Sequence, residues 1–283
     1  MVRVDDRPVW LEHVLHHEIE PLLRSGCGSA HLQIIAREHH LDFPAAGVDP
    51  GVGTLAWRGP IAPGQTGEVV NAKRLTGVTS TCTVVLAYIT WQIASRGWLW
   101  DFDRSAIRFA RRLDVNRTFF EITVMLGLRG LILTIMLPVL AWLSWNRKSW
   151  IPIGGFLAVL VFETGMTGVL KLTMERPFPY RGRLLEEAPR LAFPSGHAVN
   201  AVALWGYVAW FFTRGLPHRR LAARRFVMFA ALVTGVSSWL IRTHWPSDLL
   251  AGYAIGGIAL ATGIALVDAI EKSMVTRGAG ALR

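Results

Sequence analysis

The apolar residues of this chain are gathered into blocks rather than spread at amphipathic spacing. Six blocks approach the roughly 20 residues a helix needs to cross the hydrocarbon of a bilayer. They cover residues 78–95, 123–143, 151–170, 198–212, 226–241 and 249–269. The fourth and fifth are short alone, but polar residues beside them can complete the helices. Lipid offers no partner to a backbone amide, so these blocks predict helices. The expected fold is all-α, a six-transmembrane-helix bundle over residues 76–272. The stretch 101–114 predicts a basic amphipathic helix lying at the membrane interface. Residues 1–75 hold no such block. A short amphipathic helix is possible over 9–23, and 44–67 is rich in glycine and proline. This region is therefore expected to be a mostly irregular N-terminal extension, and 273–283 a C-terminal tail.

Composition agrees with a membrane chain. Of the 283 residues, 52% are apolar and only 18% charged, too greasy for an ordinary soluble domain. Two cysteines, Cys27 and Cys82, cannot build a disulfide framework. No signal peptide is expected, because the first residues carry acids and lack an apolar core. A net charge of +10 would suggest nucleic acid in a soluble protein. Here the arginines fall between apolar blocks, which points to topology and lipid headgroups; the expected partners are membrane lipids, with no nucleic acid. Arg147, Lys148, Arg214, Arg219, Arg220, Arg224, Arg225 and Lys272 all fall on the face reached by even-numbered loops and the C-terminus. The positive-inside rule makes that face cytoplasmic. The pairs His16-His17 and His39-His40 invite a metal reading, but adjacent side chains on a helix diverge, so a solvated face is the better account.

Three polar clusters fall at the opposite face. They are Lys171 to Pro179, Pro194 to His197, and Ser237 to Asp248. Lysine and arginine hold phosphate through charge-assisted hydrogen bonds. Ser195, Gly196 and His197 open a helix, whose first N–H groups and dipole attract an anion. His244 and Asp248 are four apart, so a helical turn would set them on one face. A carboxylate on one imidazole nitrogen leaves the other free to attack phosphorus. His197 can then protonate the leaving alkoxide. Taken singly, each cluster has a structural explanation: a helix start, an interfacial histidine, Asp248 or Ser247 as a cap. A metal site of His197, His244 and Asp248 is disfavoured because the surrounding bases repel a cation. No cofactor is implied.

The Phe193 to His197 motif and the run His244-Trp245-Pro246-Ser247-Asp248 resemble the type 2 phosphatidic acid phosphatase family, which shares its site with vanadium haloperoxidases. The resemblance covers about residues 95–270 and includes Asp101-Phe102-Asp103-Arg104. It implies a six-helix membrane bundle, with Lys171, Ser195 and Gly196 binding phosphate. It further implies His197 as acid, His244 as nucleophile and Asp248 as its orienting partner. Soluble haloperoxidase chemistry does not suit a chain built to span lipid. Two family arginines are absent: Phe178 and Ser238 stand in their places. A rewired anion clamp of Lys171, Arg176 and Arg242 is the expected substitute. Arg129 and Glu163, both expected inside spans, should pair because charges at that depth are costly.

The function expected is hydrolysis of a lipid phosphate or diphosphate through a phosphohistidine, without metal, at the outer face of the cytoplasmic membrane. The alternatives are a lipid phosphotransferase using the same histidine, and a catalytically weakened protein that binds lipid phosphate.

Overall fold

The structure, a computed structural model, describes residues 72–179 and 191–280. The N-terminal extension with its histidine pairs lies outside these residues. Every regular element among them is helical: α1 Ala72–Ala94, α2 Trp98–Ala110, α3 Arg117–Thr123, α4 Arg129–Asn146, α5 Ile151–Met174, α6 Gly196–Thr213, α7 Arg220–Leu240 and α8 Pro246–Gly280. Short 3-10 turns, Val124–Gly127 and Pro217–Arg219, precede α4 and α7.

Among the described residues, five segments are long and apolar enough to cross a membrane: Ala72–Ala94, Arg129–Asn146, Ile151–Met174, Pro217–Leu240 and Pro246–Met274. Helix α6, the remaining expected span, is less apolar than these five. Its first turns carry His197 and Asn200, which lower its apolarity. Packing explains why α6 can carry them. It sits at the centre of the bundle with Val199, Leu204, Tyr207 and Phe211 buried. Close approach of α8 makes this possible: a Cβ at Gly252 would lie 2.6 Å from the Ser195 carbonyl oxygen. Small residues let membrane helices meet backbone to backbone. The outer helices instead turn Val84, Trp91, Val161, Val169, Met228 and Leu232 outward, the surface a lipid solvent requires. Trp142, Trp145 and Trp150 form an exposed aromatic group at one end, as at a headgroup boundary.

Helix α2 is the amphipathic helix expected near 101–114. Its buried stripe is Leu99, Asp103, Ile107 and Ala110, at helical spacing. An aspartate on that stripe is the anomaly that leads to the site.

The second expected span begins later than the apolar block does. The chain breaks at Leu128, whose backbone is extended, and α4 starts at Arg129. Side chains of α6 satisfy the break: Asn200 Nδ2 donates to the Gly127 carbonyl at 2.9 Å and Trp205 Nε1 to that of Leu126 at 2.8 Å. Arg129 thus opens α4 rather than lying inside it. The expected ion pair forms: Arg129 Nη2 lies 2.9 Å from Glu163 Oε1, with Glu163 fully buried. Helix α8 continues through the expected tail as far as Gly280.

Candidate active site

Four stretches build the site: the end of α5, the start of α6, the end of α7, and the start of α8. Helix α5 stops at Glu175, which adopts a left-handed conformation with φ of 41°. This turn sends Arg176 inward. Ser195 caps α6, accepting from the Ala198 N–H at 3.5 Å, while its own N–H donates to the Asp248 carbonyl at 3.0 Å. The starts of α6 and α8 are thereby tied together. A side chain at Gly196 would meet nothing within 4 Å, so the first turn of α6 faces open space. Helix α7 ends in two bonds, Arg242 N–H to the Trp239 carbonyl and Thr243 N–H to that of Ser238, both 3.0 Å. Arg242 holds the left-handed position, φ 63°, that glycine usually takes in this motif.

Lys171 points its amine at the Leu191 carbonyl. Its charge and that of His244 both bear on His197, so the lysine and the two histidines share one site. Burial chiefly, helped by these two neighbours, holds the His197 imidazole well below its ordinary value, at about 4. His197 opens α6 just outside the apolar stretch 198–212, and is neutral at pH 7 before an anion arrives. His244 is buried at 7% exposure, with the Phe178 ring 5.7 Å from its own. Its Nδ1 lies 3.6 Å from Asp248 Oδ2, within ion-pair range but too far for a hydrogen bond. Catalytic hydrogen bonds are commonly long before substrate binds. Asp248 Oδ2 also accepts from the Trp245 N–H at 3.1 Å, so the same carboxylate caps α8.

Arg176, expected in the clamp, lies inside the protein. It is only 2% exposed, and both guanidinium ends are taken. Nη1 donates to Ser247 Oγ at 2.7 Å and to Asp248 Oδ1 at 2.5 Å; Nη2 donates to Asp103 Oδ2 at 2.6 Å. Ser247 Oγ and N–H both donate to the Asp103 carboxylate, the latter at 3.1 Å. Trp100 and Trp245 face the guanidinium at 4.8 and 5.2 Å. A cation so placed is paired with two buried carboxylates. Burial pushes the Asp103 carboxyl up, against the opposing pull of Arg176 and Ser247.

Arg242 lies elsewhere. With Arg111, Asp114 and Arg117 it lines a polar cavity of about 190 Å³ between the ends of α2 and α7. This cavity flanks the site: Arg111 Nη2 donates to the Pro179 carbonyl at 3.4 Å, next to Phe178. Ser238 is fully buried, with its hydroxyl unpartnered. Sequence reasoning places Lys171, Ser195, Gly196, His197, His244 and Asp248 at the site, and the fold brings them to one end of the bundle. It gives no part to Asp103 and Ser247, which the fold gathers around Arg176. The signal for Asp103 was its place on the apolar stripe of α2. Among the described residues no group of three or more His, Cys, Asp or Glu is disposed to hold a metal ion.

Comparison with known proteins follows the same lines. The chain is 31% identical over 137 residues to phosphatidylglycerophosphatase B of Bacillus subtilis (strain 168). That match covers 46% of this chain and 65% of the relative, a little under two thirds of the relative's length. The fold matches the crystal structure of a transmembrane PAP2 type phosphatidylglycerolphosphate phosphatase from Bacillus subtilis, with a TM-score of 0.56 and 21% identity. The superposition covers 69% of this chain and 96% of that one. Residues 152–271, which carry Lys171, both histidines and Asp248, match the family model of the PAP2 superfamily. The matched stretch is thus similar to the PAP2 superfamily, the family that the histidine motifs resemble.

Proposed function

We propose that this protein is a membrane lipid phosphatase that cleaves a phosphomonoester or diphosphate through a phosphohistidine on His244, without a metal. The observation that carries the reading is the meeting of Lys171, His197 and His244 at the open first turn of α6. The phosphate sits on the N–H groups of that turn, with Lys171 as its cation. The free imidazole nitrogen of His244 attacks phosphorus; the P–N bond forms as the bond to the lipid oxygen breaks. His197, protonated once the dianion has bound, gives its proton to the leaving alkoxide. Neutral again, it takes a proton from water, which displaces His244 and releases phosphate. Arg242, two residues before His244, supplies a second cation from the edge of its cavity.

The substrate favoured is an anionic glycerophospholipid such as phosphatidylglycerophosphate, the class named in both relatives. The test is phosphate release from a panel of lipid phosphates in detergent, with EDTA present and His244→Ala alongside. Release by the parent protein alone supports the reading. No release from any lipid by folded protein overturns it in favour of a binding role, with the arginines replaced by Phe178 and Ser238 as the explanation.

A further inference from the structure

Asp248 does not face His244 alone. Its Oδ1 is held by Arg176, and the other end of that guanidinium is held by Asp103, on a different helix. Ser247 closes the ring between them. All four residues are buried, and the two flanking tryptophans keep water from the guanidinium. Trp245 is itself fastened by its Nε1 to the Pro177 carbonyl at 2.8 Å, and Trp100 by its Nε1 to that of Ile93 at 2.9 Å. Nothing in hydrolysis requires a second carboxylate here, and one cation already balances Asp248. With Asp103 ionised, the cluster has two negative charges against one positive. That surplus lies behind the one side chain positioned to orient the nucleophile.

We propose that Asp103 is a positioning residue that acts through Arg176 to set the orientation and negative charge of Asp248 behind His244. The inference rests on the function proposed above. Its geometry is specific. A guanidinium is a rigid fork, so anchoring one prong on α2 fixes where the other presents itself to Asp248. Without Asp103, Arg176 can rotate onto Asp248 with both prongs and neutralise it. His244 then loses the negative field that favours its positive phosphorylated form. The charged and titratable groups around His244 are Asp248 on α8, His197 on α6, Lys171 on α5, Arg242 just after α7, and Arg176 with Asp103 behind Asp248. Of these, only Asp103 lies on the interfacial helix α2.

The experiment compares the parent protein, Asp103→Asn and Ser247→Ala on phosphatidylglycerophosphate in detergent, from pH 5 to 9. Asp103→Asn keeps the shape and removes the charge. Its kcat is expected to fall about tenfold with KM within about twofold, because substrate contacts are untouched. The acid limb of kcat/KM moves to lower pH, because a negative charge behind Asp248 has been removed. Ser247→Ala, which keeps both carboxylates, gives a smaller fall in kcat and no shift of the limb. A folded Asp103→Asn with parental kcat and pH profile overturns the proposal. So does a loss confined to KM. If Asp103→Asn does not fold, a limb shift in Ser247→Ala equally overturns it. Inactivity of the parent protein on every lipid is a separate outcome, and it sinks the proposed function instead.

Discussion

At the scale of single residues, the site shows how burial changes what a charge is for. Arg176 has the charge to clamp phosphate, but it lies between Asp103 and Asp248, out of reach of solvent. Its removal should therefore read out in stability before catalysis. Arg176→Met leaves two buried carboxylates uncompensated, and breaking such a group costs about 3–5 kcal/mol. A large drop in melting temperature in detergent is expected, and Arg176→Lys should recover little, because an ammonium cannot bridge two acids as a fork does. A parental melting curve with a raised KM would return Arg176 to the phosphate clamp. Arg242 behaves oppositely. Arg242→Ala should melt nearly as the parent does, yet lose about 2.7–4 kcal/mol of transition-state stabilisation in kcat/KM. His197 gives the pH dependence. Its folded-state value is depressed from 6.5 to about 4, so its neutral form stabilises the fold above about pH 6.5, and this is lost as pH falls towards 4. Bound phosphate favours the imidazolium. Histidine ring resonances followed by NMR should show His197 titrating at higher pH with inorganic phosphate present. No movement would separate His197 from the anion.

At the scale of elements, the broken entry to α4 matters most. A helix starting at residue 123 and running unbroken would have no need of Asn200. Because the chain opens at Leu128, two carbonyls are freed inside the bundle and must be met by side chains. Gly127 lies close against the first turn of α6: an added Cβ would come 2.5 Å from the His197 carbonyl oxygen and 2.6 Å from Thr234 Cγ2. Neither the backbone nor a fully buried threonine can move far. Asn200→Leu should cost about 1–3 kcal/mol, the penalty for an unmet buried carbonyl, measured as lost thermal stability. Unchanged stability would mean that water or another donor replaces the amide.

At the scale of the whole molecule, helices with apolar outer faces surround a polar end that carries Lys171, His197 and His244. This is the construction of a multi-pass membrane protein. The opposite end is basic: Arg214 pairs twice with Glu271, at 2.6 and 3.1 Å, and Arg220 donates to the Arg214 carbonyl. If that end is cytoplasmic, as its arginines imply, then in a chain lacking Cys27 and Cys82 an Arg104→Cys substitution should react with an impermeant maleimide on intact cells. Arg224→Cys should react only after permeabilisation. The reverse pattern would invert the topology and put the site on the inside.

Much of this was legible in sequence because it depends on local or periodic features. Apolar blocks of spanning length dictate helices, since lipid leaves the backbone no other partner. The spacing of His244 and Asp248 places them one turn apart, and the alternation of loops brings Lys171, Ser195, His197 and His244 to one end. Even the Arg129–Glu163 pair followed from the cost of isolated charge at depth. What tertiary structure alone decided depends on contacts between distant segments. Arg176 meets Asp103 and Asp248 across 73 and 72 residues of chain, so no pattern around it distinguishes a phosphate ligand from a buried counter-ion. The break at Leu128 exists because α6 offers Asn200 and Trp205 to its freed carbonyls. Asn200 on α6 is tolerated because the Gly127 carbonyl, rather than lipid, faces its amide. Sequence determines which groups are present and which face each prefers; only packing decides which of two possible partners a charge will have.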